Sequence, residues 1–167
     1  MTVIWLNGTI GSGKTAVGRA VAALLPQARF VDGDDLAGPS GLPNRQRWRM
    51  AVDALLRLVR CRWPARLVVA YPLAAADARR LRAACACRVL LVVNLATPLP
   101  IVLRGRGGRV LSAGERRRVR EMFSEGYHRR RFADMTLTNA LPPVSRIARV
   151  IARRAMRGAF PSPARRS

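Results

Sequence analysis

The sequence predicts an α/β protein in three layers, a five-stranded parallel sheet covered by helices on both faces. Five short apolar runs alternate with helical stretches along almost the whole chain of 167 residues. The first, third and fourth runs are apolar nearly throughout instead of alternating with polar residues, as strands buried on both faces are. A glycine-rich segment joins the first run to the first helical stretch, where such folds place a ligand. The length suits one domain, expected over residues 1–157 with a flexible basic tail over 158–167, and a 50% apolar content suffices for its core.

The first run, TVIWLN from Thr2 to Asn7, has the length and composition of a buried strand. The stretch from Thr15 to Leu25 puts Val17, Val21, Leu24 and Leu25 on one helical face. Between them, Gly8-Thr-Ile-Gly-Ser-Gly13-Lys14-Thr15 fits G-x-x-x-x-G-K-[ST], in the strand-to-helix setting that this phosphate-binding motif requires. The glycines let backbone N–H groups turn inward around phosphate oxygens, and the helix N-terminus adds its partial positive charge. Gly8, Ile10, Gly11, Ser12, Gly13, Lys14 and Thr15 are therefore the expected nucleotide-binding residues, with Lys14 on the β- and γ-phosphates and the Thr15 hydroxyl on Mg²⁺. Lys14 is the only lysine among 31 basic residues. A compact ammonium on a flexible stem does what a planar guanidinium does not, so lysine stands at the one place where arginine would not serve.

Ala28 to Leu36 reads as a short strand ending in the acidic turn VDGDDL. A Gly/Pro/Ser loop, Ala37 to Arg45, leads to a helix from Arg45 to about Arg62, with Asn44 its expected cap. Ala65 to Pro72 is the third strand, Ala74 to Ala84 a short helix, Arg88 to Leu95 the fourth strand, and Thr97 to about Arg104 a helix that tolerates Pro98 in its first turn. The segment RGRGGRVLS then sets three glycines among three arginines before Ser112, which opens a capping box with Glu115. It is expected to be a mobile basic lid, over about residues 104–114. A helix to about Arg130, a fifth strand from Ala133 to Asn139, and a final helix from Val144 to Arg157 after Pro142 and Pro143 complete the order.

The net charge of +22 admits two readings. One is attraction of nucleic acid or anionic substrates. The other, which we favour, is biased residue usage, because the arginines are scattered and aromatics, at 5%, are too few for a base-stacking surface. A nucleic-acid partner is thus possible but not favoured. No apolar run reaches the roughly 18 residues of a membrane span and no leader pattern opens the chain, so a soluble cytoplasmic protein is expected. Cys61, Cys85 and Cys87 lack metal-ligand spacing and, with a lone His128, read as reduced core thiols.

With its Walker loop, five strands and late arginine-rich segment, the chain from Met1 to about Arg157 resembles the small-molecule P-loop kinases, the group of shikimate kinase, gluconate kinase and adenylylsulfate kinase. VDGDDL is similar to the acidic turn of gluconate kinase and to the D-x-D of shikimate kinase. The resemblance implies that Asp32 helps hold the Mg²⁺ shell and that Asp34 contacts the acceptor hydroxyl. It also implies that Arg104, Arg106 and Arg109 close over the phosphates, with Arg109 catalytic, and that Pro142 lies beside the adenine. Arg45 and Arg49 are the substrate-binding candidates, Arg49 standing where shikimate kinase has its carboxylate-binding arginine. Without the family, the acidic turn also reads as a solvated turn whose aspartates bond their own backbone.

The chain departs from these kinases in three places. Ala70-Tyr71-Pro72 stands where shikimate kinase has three glycines, Asp53 is one position out of step, and Ala37 replaces a histidine of gluconate kinase. No acidic residue ends the third strand, which leaves Asp32 as the substitute for a Walker B carboxylate. The expected activity is ATP-dependent transfer of the γ-phosphate to a hydroxyl of a small metabolite or antibiotic. The alternatives are a tunicamycin-resistance-like P-loop ATPase or drug-binding protein, which the opening VIWLNGTIGSGKT also resembles, and a kinase acting on nucleic-acid ends.

Overall fold

The computed structural model describes residues 1–61, 64–86, 88–105, 110–138 and 142–158. Five strands, β1 (Thr2–Asn7), β2 (Ala28–Asp32), β3 (Arg66–Ala70), β4 (Val89–Leu95) and β5 (Met135–Leu137), form one sheet in the order β2-β3-β1-β4-β5. Every pairing is parallel, with Thr2 opposite Arg66 on one side and Val89 on the other. The helices are α1 (Lys14–Leu24), α2 (Asn44–Arg60), α3 (Ala75–Ala84), α4 (Leu99–Arg104), α5 (Ala113–Ser124) and α6 (Val144–Met156), and a single 3-10 turn spans Gly33–Leu36.

Strand pleating divides the apolar residues between two cores. Val3, Trp5, Leu67, Val69 and Val92 pack under α2 and α3 with Leu55, Val59 and Leu81. Ile4, Leu6, Val68, Leu91 and Val93 face α1 and α6 with Val17, Val21, Ile147 and Ile151. Trp5 is wholly buried, and its indole N–H donates to the Tyr71 carbonyl at 2.7 Å. That bond supplies the polar partner a buried indole needs and holds the exit of β3 against the central strand. A third, smaller cluster of Val102, Leu111 and Val119, with Ile10 against it, seats α4 and α5 beside the glycine-rich loop.

The element order follows the expectation, and several details differ. Helix α2 begins at Asn44 behind Pro43, with no side-chain cap, so the expected Asn44 cap is not made. Leu24, at the edge of the α1 stripe, is 46% exposed, while Val17, Val21 and Leu25 are buried. Helix α5 opens with the expected capping box, the Ser112 N–H donating to Glu115 and the Glu115 N–H to Ser112 Oγ. It ends earlier than expected, because Gly126 at φ +75° donates to the Phe123 carbonyl while Tyr127 N–H reaches back to Met122. Of the cysteines, Cys85 is buried and its thiol is pushed up to about 11 by that burial, but Cys61 is exposed just past α2 and is no core residue. Cys87 lies outside the described residues.

Strand β5 is shorter than expected, and Asp134 just before it takes over part of the ladder. Its N–H and carboxylate bond the Val92 carbonyl and N–H, and the same carboxylate holds Arg82 of α3 at 2.9 Å.

Candidate active site

Parallel strands bring the carboxyl ends of β1, β2, β3 and β4 to one edge of the sheet. The chain reverses its direction of growth there, with β1 between β3 and β4, and such a switch point leaves a crevice for a ligand. The glycine-rich loop fills it. Gly11 at φ +71° and Gly13 at φ +88° adopt left-handed conformations that L side chains disfavour, and Gly13 caps α1. The loop is pinned from below where the buried Thr97, just past β4, donates its hydroxyl to the Ser12 carbonyl at 3.1 Å. The Lys14 ammonium bonds the carbonyls of Thr9 and Gly8 at 2.8 and 3.2 Å, which draws it across the mouth of the loop.

Beside the loop, β2 ends at Asp32. Its Oδ2 accepts the Thr15 hydroxyl at 2.7 Å, and its Oδ1 accepts the Asp34 N–H at 3.2 Å. The second bond is the local turn contact that an aspartate makes with its own backbone; the first joins two elements 17 residues apart. A hydroxyl and a carboxylate at this distance are hard oxygen donors of the kind Mg²⁺ takes, and they suit an ion whose other ligands are phosphate oxygens and water. Among the described residues no group of three or more His, Cys, Asp or Glu forms a separate metal cluster.

Lys14, Thr15, Asp32 and Asp34 line one open cavity of about 620 Å³, together with Gly11, Gly13 and Arg47. Val102, Gly105 and Leu111 form its far wall. The Asp34 carboxyl is raised above the ordinary aspartate range, first by loss of water around it and then by the charge of Asp32; Lys14 and Arg47 pull the other way. Gly33 makes this turn possible through space: a Cβ there would lie 2.3 Å from the Tyr71 ring. Tyr71 in turn packs on Trp48 with ring centroids 5.0 Å apart, and Trp48 donates its indole N–H to Asp77 at 2.9 Å. The tyrosine hydroxyl is held protonated by burial and by the Asp34 charge. These aromatics stack behind the acidic turn.

Among the described residues, the arginine that lines the cavity is Arg47. Arg45 and Arg49 are exposed on α2 and do not line the cavity, whereas Arg47 does, with its Nε shielded from water and lacking a hydrogen-bond partner. Helical periodicity could narrow the choice only so far. Trp48 lies in the middle of the buried α2 stripe that runs through Ala51, Val52, Leu55 and Val59, and Arg47 and Arg49 flank it on opposite sides. Arg104 ends α4 as an exposed residue outside the lining, while its neighbour Gly105 lines the cavity. Arg106 and Arg109 lie outside the described residues, so the expected lid is seen only at its two ends. Pro142 is half-buried, and Val144 two residues later reaches the cavity wall. Asp35 is exposed and takes no part in the lining, and Asp53 faces Arg80 of α3.

Two asparagines that gave no signal in the sequence hold this edge together. Asn7 and Asn94, both fully buried, end β1 and occupy β4. Asn7 Nδ2 donates to Asn94 Oδ1 at 2.6 Å, Asn7 Oδ1 accepts the Leu73 N–H at 2.7 Å, and Asn94 Nδ2 donates to the His128 carbonyl at 2.9 Å. The relay ties the residue before the glycine-rich loop to the exit of β3 and to the turn after α5.

No protein-family model matches the chain, and no curated protein does. Solved structures do match. A gluconokinase from Sinorhizobium meliloti 1021 is 22% identical, with 93% of this chain and 94% of that one covered and a TM-score of 0.68. The APS kinase of Mycobacterium tuberculosis, solved with AMPPNP and APS, is 21% identical over 94% of this chain and 98% of its own, with a TM-score of 0.66. The chain has the fold of the small-molecule P-loop kinases. A tunicamycin resistance protein from Deinococcus radiodurans shares that fold, at 22% identity over 97% and 98% of the two chains and a TM-score of 0.62. The P-loop kinase fold accounts for the sheet order and for the loop at its switch point. Among the described residues no helix is long and apolar enough to cross a membrane.

Proposed function

We propose that the protein is an ATP-dependent phosphotransferase that acts on a hydroxyl of a small molecule bearing an anionic group. The observation that carries this reading is the convergence of Lys14, Thr15, Asp32, Asp34 and Arg47 on one cavity. A nucleotide-hydrolysing site needs the first three; a second carboxylate and a cavity-facing guanidinium beyond them give an acceptor something to bind. Bound at the loop, ATP with Mg²⁺ supplies the phosphoryl group and neutralises its charge. Lys14 and the α1 N-terminus hold the phosphates, Thr15 and Asp32 hold the metal, and Asp34 orients the acceptor hydroxyl and takes its proton. Arg47 pairs with the acceptor's anionic group through its shielded guanidinium. Arg104, Arg106 and Arg109 belong to a lid that closes over the site and excludes water. Support for ATP comes from the motif and from the AMPPNP carried by the structurally similar APS kinase.

The experiment is to incubate the protein with Mg²⁺, ATP and pools of hydroxylated acids, and to follow the gain of one phosphate by mass spectrometry. The likeness to the tunicamycin resistance protein supports a second reading, drug binding or ATP hydrolysis without a physiological acceptor. Under that reading ADP forms at one rate whatever pool is present, and tunicamycin binds.

A further inference from the structure

The nine acidic residues all fall between Asp32 and Asp134, so neither α1 nor α6 contains one. These two helices cover the same face of the sheet, and that layer has no carboxylate side chain of its own. Its charges are organised. Ile147, Ala148, Ile151, Ala152 and Ala155 form the buried side of α6. Helical rotation puts Arg146, Arg149, Arg153 and the C-capping Arg157 within a narrow arc directly opposite, over a rise of about 16 Å. All four are exposed, and none makes an ion pair among the described residues. Where a carboxylate is in reach, arginines elsewhere use it: Arg80 meets Asp53 and Asp77, and Arg118 meets Glu121 and Glu125.

Helix stability does not explain the stripe. Cations favour the last turn, where Arg153 and Arg154 lie, but Arg146 stands in the first turn, at the positive end of the macrodipole. The outer face of α2 also carries exposed arginines, Arg49, Arg57 and Arg60, but Asp53 lies among them; what sets α6 apart is a row of arginines with no carboxylate beside it.

We infer that the outer face of α6 is a docking surface for the phosphate backbone of duplex DNA, separate from the phosphotransfer site. A straight row of guanidiniums matches a polyanion with one charge per about 1.7 Å of axis. The face carries no aromatic side chain, so it has nothing on which the bases of a single strand would stack. Binding is therefore sequence-independent, and Kd lies in the range of about 10⁻⁴–10⁻⁶ M at physiological salt.

The test compares equal charge changes on opposite layers. Anisotropy of a fluorescein-labelled 20-base-pair duplex would be titrated across salt concentrations with wild type, with Arg149→Gln/Arg153→Gln on α6, and with Arg57→Gln/Arg60→Gln on α2. Arg57 and Arg60 are also exposed. The α6 pair should lower the slope of log K against log salt by about 1.8, at roughly 0.9 per lost phosphate contact, and leave the melting temperature in place. The α2 pair should leave the slope near wild type. Equal losses from both pairs would overturn the inference, since binding would then follow net charge alone. So would tighter binding of a single-stranded oligonucleotide, binding to phosphatidylserine vesicles without binding to the duplex, or no duplex binding at low salt.

Discussion

The Thr15 hydroxyl lies 2.7 Å from Asp32 Oδ2, joining the first turn of α1 to the end of β2. The pair places a carboxylate beside the glycine-rich loop, and in the proposed reaction it stands in for the acidic residue that the end of β3 lacks. Asp32→Asn should therefore raise the Mg²⁺ concentration needed for half-maximal turnover, with less effect on the rate at saturating metal. Magnesium titrations of both enzymes check this; an unchanged requirement would remove Asp32 from the metal site.

In the proposed reaction Asp34 acts one step further out, on the acceptor. Loss of a positioned general base costs about 10²–10⁴-fold, so Asp34→Asn should cut transfer by that factor while ATP affinity stays near wild type. Because desolvation and Asp32 raise its carboxyl, the acid limb of kcat/KM should fall above the ordinary aspartate value of 3.8. The sign for stability follows from linkage. A carboxyl with a raised folded-state pKa destabilises the fold once ionised, above that pKa. Asp34→Asn should thus melt no lower than wild type at neutral pH, and pH–rate and melting curves would show both effects.

Arg47 separates the structure from the expectation of Arg45 or Arg49. A lost charge-assisted hydrogen bond costs about 1.5–3 kcal/mol, so Arg47→Ala should raise the acceptor KM roughly ten- to a hundredfold. Arg45→Ala and Arg49→Ala should stay within about twofold, and steady-state kinetics on the three variants would tell them apart.

The asparagine relay predicts a stability effect. Asn94→Ala leaves the buried Asn7 amide without its partner, at about 1–3 kcal/mol, and frees the part-buried His128 carbonyl, at less. Urea unfolding should show a midpoint lowered accordingly. An unchanged midpoint would mean that the relay does not hold the sheet edge.

Much of this was legible in the sequence, because its signals are local. The loop from Gly8 to Thr15 is a contiguous motif, the apolar runs give the strands, and the Ser112–Glu115 capping box sets the start of α5. What sequence reasoning missed is relational. Periodicity puts Arg47 and Arg49 on opposite flanks of Trp48, and only the packing of α2 on the sheet selects the flank that meets the cavity. Gly33 reads as a turn residue, yet the ring of Tyr71, from another strand's exit, is what demands a glycine there. Asn7 and Asn94 are 87 positions apart, and an asparagine inside a strand gives no sign of its partner until the two strands lie side by side.

In the proposed reaction the P-loop delivers phosphate to an acceptor and does not merely hydrolyse nucleotide, and Lys14 is the residue that holds the transferred group. The most direct measurement is ³²P transfer from γ-labelled ATP into an acceptor pool by wild type and by Lys14→Ala, with circular dichroism to verify the fold of the variant. Wild type should yield labelled organic phosphate, and a folded Lys14→Ala none. Label released only as inorganic phosphate, at a rate indifferent to every pool, or transfer that survives the loss of Lys14, would contradict the proposed reaction.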